Sequence, residues 1–181
     1  MENVLVCGYG CHLTESLKRY LDFVANYLLS STMTNLVITS GGYNNLKTAP
    51  GICEAHLMRD YFLAAGVTQK IICEIVARTS EGNLYWTRHT LHNCAFDAPS
   101  EMLEAMPLKI FCDSIRKFKV AYMAKRIFKC PIQIIGYDFG RSLKEKVAQS
   151  LVFTPIEIAA FHIPMLGRKL DEYRITQNQN R

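Results

Sequence analysis

Little in this sequence marks a special environment. It has one tryptophan, 6 prolines and 10 glycines among 181 residues, which excludes collagen-like and low-complexity chains. No apolar run reaches the roughly 18 residues of a membrane span. Cys-x-x-Cys, His-Glu-x-x-His and Gly-Lys-Ser/Thr are all missing, so the local signatures of a redox pair, a zinc hydrolase and a P-loop are missing too. Met1-Glu2-Asn3 before Val4-Leu5-Val6 carries no basic stretch, and the apolar run is too short for a secretion signal. A soluble, cytoplasmic protein is expected.

What is present is an ordinary globular mixture, 49% hydrophobic and 20% charged. At roughly 150 residues per domain the length allows one domain, expected over residues 1–164 with a C-terminal extension over 165–181. The 7 cysteines, at 7, 11, 53, 73, 94, 112 and 130, are odd in number. Cys7, Cys73 and Cys112 lie in or beside apolar runs, as small buried hydrophobes do. A reducing compartment follows. Charge is uneven: residues 1–109 carry 8 basic and 10 acidic side chains, residues 110–181 carry 13 and 6. A basic half suits a phosphate, nucleic-acid or membrane-surface partner, and it equally suits a solvated helix face.

Short apolar runs alternate with helical periodicity. Strands are predicted at Asn3–Cys7, Leu36–Thr39, Lys70–Ile75, Lys109–Cys112 and Pro131–Ile135, the last closed by Gly136. Helices are predicted over Leu13–Ser30, Ile52–Ala65, Glu81–His92 and Ser114–Lys129. Asp97–Pro107 is a connection. Lys144–Phe161 reads as helical, interrupted at Pro155 and ended by Pro164, and the polar tail Gln177–Arg181 reads as frayed. Continuous Val/Ile/Leu runs are those of strands buried on both faces. The expected fold is a Rossmann-like three-layer α/β/α arrangement with a mostly parallel five-stranded sheet and extra C-terminal helices.

Ligands of such sheets bind beyond the strand C-termini, where the strand order reverses. After strand one come Gly8 and Gly10, which allow a close backbone approach, and a helix N-terminus offering N–H groups. After strand two come Ser40, Gly41 and Gly42. Glu54 opens the next helix, either as a carboxylate favoured by the dipole or as a hydrogen-bonding group or general base. Thr79, Glu81 and Asn83 open another helix, where capping explains them and a cleft role is also open. Asp113 follows strand four, and Arg116, one turn on, is placed to reach a phosphate or carboxylate. The helix that follows presents Arg116, Lys117, Lys119, Lys125, Arg126 and Lys129 with no acid among them. Cys53-x-x-His56, His89-x-x-His92 and Cys94 supply metal-ligand types without a complete tetrahedral set, so no metal is expected. The basic helix lacks interleaved aromatics on its charged face, which disfavours single-stranded nucleic acid.

The order of these motifs resembles the YdcF/SanA/ElyC family, a domain of unknown function, over roughly Asn3 to Pro164. The resemblance rests on Val4 to Gly10, Ser40-Gly41-Gly42, Glu54-Ala55, Ala65-Gly66-Val67, Thr79-Ser80-Glu81 and the basic helix. It implies a Rossmann-like protein with a nucleotide-type ligand such as S-adenosylmethionine, in the soluble branch. Two departures stand out. Gly82 separates Glu81 from Asn83, where the family element runs Thr-x-Glu-Asn. Asp113-Ser114-Ile115-Arg116 occupies the place where a histidine is common. The expectation is a nucleotide-type or phosphorylated small molecule at the strand rim, with Glu54 or Glu81 as general base and Arg116 stabilising negative charge in a transfer or hydrolysis. The alternatives are a non-catalytic ligand sensor and a basic-surface binder of nucleic acid or anionic lipid.

Overall fold

Val4, Leu5 and Val6 have no polar residue to turn outward, and the chain covers them on both sides. The computed structural model describes residues 1–93, 102 and 105–179. Its strands are β1 (Glu2–Cys7), β2 (Thr34–Ser40), β3 (Lys70–Glu74), β4 (Leu108–Asp113) and β5 (Ile132–Tyr137). All four ladders are parallel, in the order β3-β2-β1-β4-β5. Val4 lies opposite Val37 on one side and Lys109 on the other. This is the doubly wound order, with its reversal between β1 and β4.

Alternate residues of each strand feed opposite cores, as the two-residue period requires. Val4, Val6, Val37 and Phe111 pack against Leu17, Leu21, Val24 and Leu28 of α1 (Glu15–Ser30) and against Met58 and Phe62 of α2 (Glu54–Ala64). Leu5, Ile38, Ile110 and Cys112 pack against Leu84 and Leu91 of α3 (Ser80–Asn93) and Val120 and Met123 of α4 (Lys117–Ile127). The six described cysteines are free thiols, with Cys7 and Cys112 buried and Cys73 half-buried. Cys94 and most of the 97–107 connection lie outside the described residues.

Several boundaries differ from expectation. Helix α1 starts at Glu15 because Thr14 caps it, accepting the Leu17 N–H at 3.3 Å. That capping consumes an N–H group expected to face a ligand. Gly136 does not close β5 but lies within it. A Cβ there would stand 2.9 Å from Ser114 Cα, so glycine lets the 3-10 turn Ser114–Arg116 pack on the strand. The C-terminal part holds α5 (Leu143–Ala148), a π-turn (Gln149–Phe153), α6 (Thr154–His162) and α7 (Pro164–Gln179). Pro155 does not interrupt a helix. It sits in the first turn of α6, where its missing N–H costs little, and the irregularity falls just before it as the wider π-turn. Pro164 likewise opens a helix after ending one, with Ile163 extended between the two. No helix among the described residues is long and apolar enough to cross a membrane.

Candidate functional site

The strand C-termini converge at the β1/β4 reversal, and a cleft of about 310 Å³ opens there. Gly8, Tyr9 and Gly10 follow β1, and Asn44, Asn45 and Glu54 come from the β2–α2 connection. Arg78, Thr79, Ser80 and Asn83 come from the β3–α3 junction, Arg116 follows β4, and Arg141 follows β5.

Beneath the cleft lies a cross-linked layer. Ser40 is fully buried, and its hydroxyl donates to Glu74 Oε2 at 2.5 Å while lying 3.2 Å from Asn83 Oδ1. The other Glu74 oxygen accepts the N–H groups of Val76 and Ala77 at 2.6 and 3.0 Å. Gly41 and Gly42 donate their own N–H groups to the carbonyls of Glu74 and Ala77, at 3.0 and 2.7 Å. Their carbonyls in turn accept from Ala55 and Glu54 at the start of α2. Ser40, Gly41 and Gly42, expected from the sequence among the ligand-site residues, do not line the cleft. They support the residues that line the cleft.

Glu54 is the deepest of those residues, 6% exposed. Two glycines far apart in the sequence leave room for it. A Cβ on Gly8 would lie 3.0 Å from the Glu54 carboxyl carbon, and one on Gly41 would lie 2.9 Å from the Glu54 Cβ. Gly41 also has φ of +154°, which side-chain-bearing residues rarely adopt. Burial pushes the Glu54 carboxyl up to about 7, against the opposing pull of the Asn44 side chain, the Arg116 charge and the Gly10 N–H. A surface carboxylate at a helix start would be held down, not up. Glu54 both opens α2 and lines the cleft.

Three arginines, Arg78, Arg116 and Arg141, line the same cleft. Arg141 is held by Glu145 at 3.0 Å and stands 3.6 Å from Asp113 Oδ2. Its guanidinium sits 5.1 Å from the ring of Tyr9, which stacks on Phe139 at 3.7 Å. Arg141 Nε and Asp113 Oδ2 are ion-paired with each other at 3.6 Å, whereas the buried Arg116 Nε has no hydrogen-bond partner. Such an atom carries a cost that a bound polar group removes. Asp113 itself is 4% exposed and caps the turn after β4, accepting the Ile115 N–H at 3.2 Å. Burial raises its carboxyl above the usual range, opposed by the Ile115 N–H and Arg116. It lies behind the cleft wall rather than on it.

Gly8, Gly10, Glu54, Thr79, Asn83 and Arg116 thus come together as expected. Glu81 does not. Ser80 and Asn83, three residues apart, share one helix face, and Glu81 is turned from Ser80 by roughly 100°. It faces a separate crevice with Lys119 and Glu157. Lys119, expected on an exposed basic face, is 2% exposed and paired with Glu157 of α6. The basic face is correspondingly smaller than its sequence suggests. Sequence reading missed Asn44, Asn45, Arg78 and Arg141. A signal existed, since β2, β3 and β5 end at Ser40, Glu74 and Tyr137, and a polar cleft residue stands four positions after each.

Among the described residues, no three His, Cys, Asp or Glu side chains cluster as metal ligands do. No protein-family model and no curated protein matches the chain. Among solved structures, a universal stress protein from Archaeoglobus fulgidus shares 14% identity with it, covering 75% of this chain and 93% of that one at a TM-score of 0.38. The parallel strand order and the cleft stand on this chain's own geometry.

Proposed function

We propose that the chain binds a phosphorylated, nucleotide-type small molecule in the cleft at the β1/β4 reversal, and that Glu54 acts there as a general acid–base in a hydrolytic or group-transfer reaction. One observation carries the reading. Three arginines from three separate connections line one cleft with a single carboxyl, Glu54, that burial raises to about 7 against the pull of Arg116. Arginine's planar fork suits phosphate, which it can hold through paired N–H groups. At about 310 Å³ the cleft is near the low end of small-molecule pockets, which span roughly 300–1,000 Å³. That size suits a mononucleotide or smaller phosphate ester better than a dinucleotide. A carboxyl titrating near neutrality both takes and gives a proton at working pH. The resemblance of the motif order to the YdcF family supports a nucleotide-type ligand. S-adenosylmethionine fits less well, because its sulfonium would set a positive charge among Arg78, Arg116 and Arg141.

A second reading, a sensor without turnover, is favoured by Asp113. It occupies the place where the resemblance leads one to expect histidine, and it lies behind the wall. Thermal shift with a panel of nucleoside mono-, di- and triphosphates tests binding. A ligand at a hundred times its Kd adds about 2.7 kcal/mol, a rise of roughly 5–10 °C for a chain of this size. Arg116→Ala should weaken binding roughly 10- to 100-fold. Glu54→Gln should retain the shift and lose any product release. Binding without product in the native protein selects the sensor, and no shift with any phosphorylated ligand refutes both readings.

A further inference from the structure

The C-terminal part leaves large apolar side chains in water at one place. Leu143 is 77% exposed, Val147 47% and Leu151 73%. They recur every fourth residue through α5 and the π-turn. An α-helical turn is slightly short of that spacing and a π-turn slightly long, so the three stay in line along one ridge. Val152 and Phe153, in the same π-turn but off the line of the ridge, are 51% and 53% exposed. The π-turn packs against the turn after β4, and two residues beyond that turn Phe118 is 71% exposed.

Charge identifies the occupant. Lys144 and Lys117, beside Leu143 and Phe118, are exposed. The acids of the same stretch are already engaged, Glu145 by Arg141 and Ser142, and Asp138 by Lys146. An apolar ridge bordered by uncompensated lysines is the pattern of a surface that lies in a lipid interface, with its apolar groups below the headgroups and its cations among them. A second copy meeting this ridge head-on would set the same positive border against itself. Nucleic acid would leave the ridge unused. We propose that this ridge docks the protein peripherally on a bilayer bearing anionic headgroups. The proposal is independent of what the cleft binds.

Cosedimentation with vesicles of phosphatidylcholine alone, and of phosphatidylcholine with phosphatidylserine, tests it on the full chain. The protein should pellet with the phosphatidylserine vesicles and be released by salt. Leu143→Glu with Leu151→Glu should reduce partitioning at least tenfold while leaving the melting temperature unchanged, because both side chains are in water already. Lys144→Ala, which keeps the ridge, should reduce it about fivefold. Equal pelleting with phosphatidylcholine alone, or unchanged partitioning of the double-glutamate variant, would overturn the proposal. So would a dimer of the native protein that the same variant converts to monomer, since the ridge would then belong to a second copy.

Discussion

The environment of Glu54 makes a prediction about folding that needs no ligand. Its carboxyl moves from an ordinary 4.5 to about 7 on folding. At about 1.36 kcal/mol per pH unit, this is an order of 3 kcal/mol. The sign follows from proton counting. Between those values the folded state keeps a proton that the unfolded state has released, so rising pH favours the unfolded chain. The native protein should lose about 3 kcal/mol of stability from Glu54 as pH climbs from about 4.5 through 7, and no more above about 8. Glu54→Gln has no proton to lose. The stability of the variant relative to the native protein should therefore rise with pH over that window and then level off. The amide can accept on one oxygen only, whereas the carboxyl meets donors from Asn44 and Gly10. That offset, about 1 kcal/mol, is constant with pH and leaves the slope intact. Urea unfolding of both proteins across the window gives the difference directly. A flat difference curve, or one that falls with pH, would show that the Glu54 carboxyl is not buried as described.

Two further perturbations test the surrounding structure. Gly41→Ala places a Cβ 2.9 Å from that of Glu54 and should cost about 1–3 kcal/mol. It should also shrink the pH slope by displacing the carboxyl, which urea titrations at two pH values would show. Lys119→Met removes the buried cation that pairs with Glu157 and should cost about 3–5 kcal/mol, most of it regained in Lys119→Met/Glu157→Leu. Thermal unfolding of the single and double variants measures the difference, and equal losses in both would argue against a buried ion pair.

Most of the fold could be read from periodicity. Val4–Val6 and Ile132–Ile135 advertise buried strands because a strand covered on both faces has no reason to alternate. The spacing of Leu17, Leu21, Val24 and Leu28 fixes the face of α1. The failures share a cause, which is that partners distant in sequence decided the outcome. Gly136 stays in β5 because Ser114 presses on it, and Lys119 is buried because α6 supplies Glu157. At the site, glycine-rich strand ends and Arg116 were legible as chemistry near strand C-termini. Glu54 was ambiguous, because the two glycines that bury it lie 46 and 13 positions upstream. Glu81 failed by one helical step. Arg78 and Arg141 failed because each sits in a connection with no motif around it.

The sheet's two halves, β3-β2-β1 and β4-β5, are zipped along a single seam, from Asn3 opposite Leu108 to Val6 opposite Phe111. Arg78 and Glu54 stand on one bank of that seam, Arg116 and Arg141 on the other. The phosphorylated ligand proposed above, gripped from both banks, would be a strap across it. Occupancy would then be felt furthest from the rim, as slower amide exchange in the middle of β1 and β4.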